Sequence, residues 1–167
     1  KNKSLKKKID KKNGIPTSDF NLYDSVESIQ KAIKSKEIKY PFVQKLRKGG
    51  YDGRGVAVVN NENDLFKLLP GASVLEEKVE IQKEISVITA RNGKGEIKCY
   101  PVVEMVFDSK ANLVDKLLCP SSITVEQSEK AINFANEIIE LLNMEGLLAI
   151  EFFINSKGEI IVNEMAP

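Results

Sequence analysis

Eleven consecutive residues, Lys45-Leu46-Arg47-Lys48-Gly49-Gly50-Tyr51-Asp52-Gly53-Arg54-Gly55, carry four glycines and four basic side chains. Apolar runs flank them, Tyr40 to Val43 before and Val56 to Val59 after, so the spacing predicts strand, loop, strand. Glycine lets a backbone adopt positive φ and lie close to a ligand. Successive N–H groups in such a loop form an anion-binding concavity. Lys45, Arg47, Lys48 and Arg54 surround it with positive charge, which suits a polyphosphate. No Gly-Lys-Ser/Thr follows, and no helical pattern follows Gly55 directly, so neither the P-loop nor the dinucleotide fingerprint is spelled here. Taken alone, a loop of this kind is also the ordinary tip of a hairpin, since glycines supply turn geometry in any case. A second motif near the C-terminus weighs against that reading.

The chemistry open to the chain is narrowed by what it lacks. None of its 167 residues is histidine, which excludes Ser-His and Cys-His catalysis and any His-ligated metal. Its two cysteines, Cys99 and Cys119, have no C-x-x-C spacing and fit a reducing cytoplasm. The 25 basic and 24 acidic residues leave a net charge of +1, so no global field points to nucleic acid or a membrane. No apolar run approaches the roughly 20 residues that span a bilayer. The N-terminus is locally basic (Lys1, Lys3, Lys6, Lys7, Lys8, Lys11, Lys12). It reads as a helix with solvated lysines, Leu5 and Ile9 pointing inward at i, i+4.

Along the chain, residues 3–12 read as a helix stopped by Asn13-Gly14. Asp24 with Glu27 resembles a capping box for a helix to about Ser35. Strands follow at Tyr40 to Leu46 and Val56 to Val59. A helix capped by Asn60 or Asn61 is expected through Leu65, Phe66, Leu68 and Leu69. Ser73 to Val79 and Ile85 to Arg91 are strands. Asn92-Gly93-Lys94-Gly95 is a turn and Ile97 to Phe107 a further strand. After a polar loop, Val125 to Asn143 shows helical periodicity through Ile132, Ala135, Ile138, Ile139 and Leu142, with Gly146 as its stop. The order is α+β, antiparallel hairpins with helices outside. It divides as a first lobe over residues 1–79, with the glycine loop, and a second over 80–167. The acidic strand end from Glu76 to Glu80 is the candidate hinge. The chain stops just past an apolar strand and reads as a piece of a longer protein.

Glu151 lies inside the apolar run Leu147-Leu148-Ala149-Ile150-Glu151-Phe152-Phe153-Ile154, where a carboxylate is costly unless paired or metal-bound. With Lys157-Gly158 as the turn centre, pairing runs 154 with 161, 153 with 162, 152 with 163 and 151 with 164. Glu151 then faces Glu164. Like charges opposite each other destabilise a sheet, so a cation should sit between them. Two carboxylates without histidine or thiolate suit a hard cation such as Mg²⁺. Asn163 can add an amide oxygen, and Phe153, on the same face as Glu151, can pack against a flat ring. A one-residue slip would turn Glu164 away, leaving two solvated glutamates on an edge hairpin.

These segments together resemble the ATP-grasp carboxylate–amine ligases, and within them the N5-carboxyaminoimidazole ribonucleotide synthetases, the ATP-dependent subunit of phosphoribosylaminoimidazole carboxylase. The likeness rests on Tyr40 to Lys45, Gly49 to Gly55, Val74-Leu75-Glu76-Glu77, Lys83 to Val87, Tyr100 to Glu104 and Asn163-Glu164-Met165-Ala166-Pro167. It covers essentially the whole chain. It implies the ATP-grasp fold, two lobes of antiparallel sheet with flanking helices and the nucleotide between them. It implies ATP, bicarbonate and 5-aminoimidazole ribonucleotide as substrates in purine biosynthesis, and Mg²⁺, or Mn²⁺ in its place, as metal. By the same resemblance Lys45 contacts the ATP phosphates, and the loop Gly50, Tyr51, Asp52, Gly53, Arg54, Gly55, Val56 closes over them. Glu76, Glu77, Lys78 and Val79 line the adenine hinge, Glu84 holds the ribose, and Lys3 lies near the nucleotide. Tyr51 and Arg54 contact bicarbonate, and Glu151 and Glu164 carry the metal.

Three departures accompany the resemblance. The family's N-terminal domain is missing, as is the Arg-x-His-Asn-Ser-Gly-His-type segment after Ala-Pro. Met105-Val106-Phe107 stands where Asn-Ile-His is usual. The isolated chain is therefore expected to be inactive as a ligase. Two alternatives remain open: another ATP-grasp carboxylate–amine ligase, and a non-catalytic nucleotide-binding module. A homodimer is carried as one option for the parent protein.

Overall fold

The computed structural model describes residues 3–48, 55–108 and 113–167. The chain divides into two compact units, Lys1–Asn13 with Ser18–Val79, and Gly14–Thr17 with Glu80–Pro167.

In the first unit, α1 (Lys3–Lys12), β1 (Phe20–Tyr23), α2 (Val26–Lys34), β2 (Phe42–Leu46), β3 (Val56–Val59), a 3₁₀ turn (Glu62–Lys67) and β4 (Ser73–Glu77) follow in chain order. The strands form an antiparallel sheet in the order β1-β4-β2-β3. Strand alternation sends Phe42 and Leu75 to one face, where Ile29 and Val59 complete a small core. The opposite face carries Lys45 and Glu76, and α1 reaches it through Lys7.

Several expectations are corrected here. Ser25 caps α2, in a reciprocal box with Ser28. Asp24 instead pairs with Arg47, 2.9 Å away. The segment after Asn61 is a short 3₁₀ turn with no fully buried residue: Leu65 packs only partly against the small core and Phe66 is left in solvent. The largest correction concerns α1: Leu5 is 58% exposed, while Ser4, Lys7 and Asp10 are buried. The helix is rotated so that Lys7 meets the buried Glu76 carboxylate, which would be costly to leave uncompensated.

The second unit contains β5 (Ile81–Arg91), β6 (Ile97–Cys99), β7 (Val103–Phe107), β8 (Val114–Leu118), α3 (Val125–Leu141), β9 (Gly146–Asn155) and β10 (Ile160–Ala166). The sheet order is β10-β9-β5-β7-β8, with β6 paired to β5. Alternate residues of β9, Leu148, Ile150, Phe152 and Ile154, join Ile85 and Val87 of β5 and Val162 and Met165 of β10 in the core. Ala131, Ala135, Ile138 and Ile139 of α3 seal that face.

Residues 14–17 belong to this unit, not the first: the Val162 N–H donates to the Pro16 carbonyl at 2.8 Å, and Ile15 lies in this core. The single strand expected from Ile97 to Phe107 is two, parted at Tyr100-Pro101, where proline has no N–H to give a ladder. The segment read as a polar loop contains β8, paired to β7. Asn143, at φ 44°, turns the chain after α3, and Gly146 begins β9 instead of stopping the helix.

Candidate functional site

The second unit builds its polar site on the sheet face away from α3. Strand parity decides which side chains stand there. In β9 the buried positions are 148, 150, 152 and 154, so Ala149, Glu151 and Phe153 point the other way. Pairing places Glu84 beside Phe153 and Ser86 beside Glu151. The turn is tighter than the expected register: Ile160 pairs with Ile154, Ile161 with Phe153 and Val162 with Phe152, one residue off at each place. A bulge at Asn163 then absorbs one residue, and Glu164 comes to stand opposite Glu151. The facing carboxylates survive because two offsets cancel. Glu84, Phe153, Glu151 and Glu164 therefore share one face, each partly buried, with Asn163 at the bulge.

This donor set is all oxygen, which fits a hard divalent cation. Among the described residues no cluster of three or more Asp, Glu or Cys side chains forms a full cage. A cation held by Glu151 and Glu164 would complete its shell with ligand oxygens and water.

The first unit holds a buried ionic cluster that the sequence reading did not find. One oxygen of Glu76, Oε2, accepts from Ser18 Oγ at 2.8 Å and from Lys45 Nζ at 3.1 Å, and lies 3.2 Å from Lys7 Nζ. Lys7 Nζ also donates to Ser18 Oγ at 2.8 Å. Burial alone would raise the Glu76 pKa, but Lys45, Lys7 and the Ser18 hydroxyl outweigh it and hold the carboxyl below its usual range. Burial pulls the Lys7 ammonium down, against the attraction of Glu76. Asp10, one helical turn from Lys7, is pushed up to about 6 by burial, with Lys7 and Lys6 opposing. The signal available in the sequence was Glu76 itself. It follows Val74-Leu75 in an apolar strand and, like Glu151, demands a cation. Lys7 was hidden by the apparent pairing of Leu5 with Ile9.

The first unit also revises the expected phosphate loop. Lys45 is buried against Glu76. Arg47 donates to the carbonyls of Tyr23 and Ser73 and pairs with Asp24, so it braces the loop's base and does not stand free around it. The Leu46 N–H donates to Gly55 at 2.9 Å, and Gly55, at φ 78°, lets β3 begin. Gly50, Tyr51, Asp52, Gly53 and Arg54 lie outside the described residues. Lys3 begins α1, its N–H donating to the Arg47 carbonyl at 3.2 Å. At the end of β4, Glu77 is exposed while Glu76 is not, so the strand end is not simply a solvated acidic tip. The Glu77 N–H donates to Asp19 and Lys78 Nζ to Asn60. Glu76, Glu77 and Lys78 border an open groove of about 550 Å³ that is also lined by the stacked rings of Tyr40 and Phe42.

A family model for the ATP-grasp domain matches residues 8–167. The chain belongs to the ATP-grasp family. Its ATP-grasp domain is 30% identical over 170 residues to the N5-carboxyaminoimidazole ribonucleotide synthase of Bacillus subtilis, covering 99% of this chain and 44% of the relative. The crystal structure of N5-carboxyaminoimidazole ribonucleotide synthetase from Thermotoga maritima superposes with a TM-score of 0.82 at 41% identity, over 99% of this chain and 41% of that one. A synthetase of the same name, solved as its ADP complex, gives 0.88 at 36% identity, over 99% and 44%. The ATP-grasp domain described here thus spans less than half the length of these relatives. Among its described residues no helix is long and apolar enough to cross a membrane.

Proposed function

We propose that this ATP-grasp domain is the ATP-binding part of a ligase that carboxylates 5-aminoimidazole ribonucleotide with bicarbonate, in purine biosynthesis. The observation that carries the reading is the single face holding Glu84, Phe153, Glu151 and Glu164 in a chain so similar to the synthetases. In this reading Lys45 and the loop from Gly50 to Val56 bind the phosphates. Glu76, Glu77, Lys78 and Val79 frame the adenine, Glu84 takes the ribose hydroxyls, and Phe153 packs against the nucleotide. Glu151 and Glu164, with the Asn163 amide oxygen, hold Mg²⁺, which supplies charge neutralisation on the phosphates when bound.

A bicarbonate oxygen, oriented by Tyr51 and Arg54, attacks the γ-phosphorus of ATP, and ADP leaves. The ribonucleotide amine then attacks the carboxyl carbon of carboxyphosphate and inorganic phosphate leaves. Catalysis here is positioning and charge stabilisation more than covalent chemistry. Closure of the glycine loop would exclude water from the labile intermediate. Cysteines that are free in the fold, Cys99 and Cys119, are in keeping with a cytoplasmic site for this reaction.

The test is ADP release by the intact ligase with Mg-ATP and bicarbonate, with and without 5-aminoimidazole ribonucleotide, beside a Glu164→Gln variant. The expected result is release that requires the ribonucleotide and falls at least about a hundredfold in the variant, the scale of losing one electrostatic stabiliser. Turnover indifferent to the ribonucleotide would move the assignment to another acid–amine pair. Full activity in Glu164→Gln would remove the metal role.

A further inference from the structure

We propose that Lys7 is a positioning residue: it keeps the Glu76 carboxylate compensated so that Lys45 can leave it for an anionic phosphate. The inference rests on the reading of Lys45 as a phosphate ligand. Glu76 and Lys7 side chains are each only 5% exposed, and Lys45 only 11%. Three donors converge on one carboxylate oxygen, two of them cationic. One ammonium is enough to balance that carboxylate, so the second can be lent.

The two lysines come from different elements. Lys7 stands on α1 and is anchored by Glu76 and by Ser18 Oγ at 2.8 Å. Lys45 stands on β2, the strand that leads into the glycine loop. When a phosphate draws Lys45 away, Lys7 and Ser18 remain on Glu76. Without Lys7, the same movement would strip the buried carboxylate of its cation, and leaving a buried charge uncompensated is strongly unfavourable. Among the described residues, Asp10 and Lys6 are further charged groups near this cluster. Both lie on α1, Asp10 acting on Lys7 and Lys6 on Asp10.

The experiment is titration of the protein with Mg-ADP, comparing wild type with Lys45→Met, Lys7→Met, Glu76→Gln and the double variant Lys7→Met/Glu76→Gln, each also checked by thermal unfolding. Lys7→Met should weaken binding at least about tenfold, equivalent to ~1.4 kcal/mol. Glu76→Gln should make Lys7 dispensable, so the double variant should bind within about threefold of Glu76→Gln and better than Lys7→Met, a rescue that a general packing defect would not give. Should Lys7→Met fail to fold, the comparison of the double variant with Glu76→Gln still decides. Unchanged binding in Lys45→Met would overturn the phosphate reading, and this proposal with it. A weakened Lys45→Met beside an unaffected Lys7→Met would overturn the Lys7 proposal alone, as would a double variant clearly weaker than Glu76→Gln.

Discussion

Replacing Asp10 by asparagine should stabilise the protein at pH 8 and change it little at pH 4. Asp10 is 2% exposed and lies in the last turn of α1, whose partial negative charge disfavours a carboxylate. Burial raises its pKa from 3.8 to about 6 despite the pull of Lys7. A carboxyl whose folded pKa exceeds its unfolded one binds more protons when folded, so its effect favours folding at low pH. That advantage fades as pH rises from about 4 through about 6, leaving the charged form as a penalty above it. A shift of about two units corresponds to ~3 kcal/mol, and the cost of burying the asparagine amide in place of the carboxyl brings the net gain to roughly 1–2 kcal/mol. For a chain of this size that is a rise in Tm of about 2–8 °C. The assay is denaturant unfolding of both proteins from pH 4 to pH 8, read as the difference in stability at each pH. A difference that does not grow between pH 4 and pH 8, or a variant less stable than wild type at pH 8, would show that Asp10 is held as a favourable anion. The account of the buried cluster would then be wrong.

Glu104 should behave in the opposite sense. Lys83 at 2.8 Å, then Ser122, hold its carboxyl down at about 2, so its contribution is present above pH 4.5 and is lost as pH falls towards 2. Glu104→Gln should cost about 1 kcal/mol at pH 7, since Lys83 and Ser122 hold this partly buried carboxylate near the surface, and nothing near pH 2, measured by the same unfolding series. Phe152, fully buried between Ile85 and Val162, should cost about 3–5 kcal/mol on truncation to alanine, visible as a lowered denaturation midpoint with the slope retained.

Much of the fold was legible in the chain because its short elements follow local rules. The β9 alternation identified both faces of that strand, and α3 announced itself by periodicity. β8 was missed because all five of its residues are exposed, so no burial pattern marks it. The 3₁₀ turn was overread because Leu65 and Phe66 suggest a helix face, yet Phe66 is 82% exposed.

What the sequence by itself determined is parity and composition: a glycine-rich basic loop between strands, no imidazole, and a carboxylate, Glu151, on the outward side of an apolar strand. Parity is local, since each residue of a strand reverses the face, so the alternation of β9 is enough to turn Glu151 away from the core. Tertiary structure alone decided two things. It set the true register, in which a tighter turn and a bulge at Asn163 cancel. It also set the rotation of α1, which no periodicity could reveal. Lys7 turns inward because Glu76 waits there, 69 residues further along the chain. A buried charge is satisfied by whichever partner the fold brings to it, and that partner is not written in its neighbours.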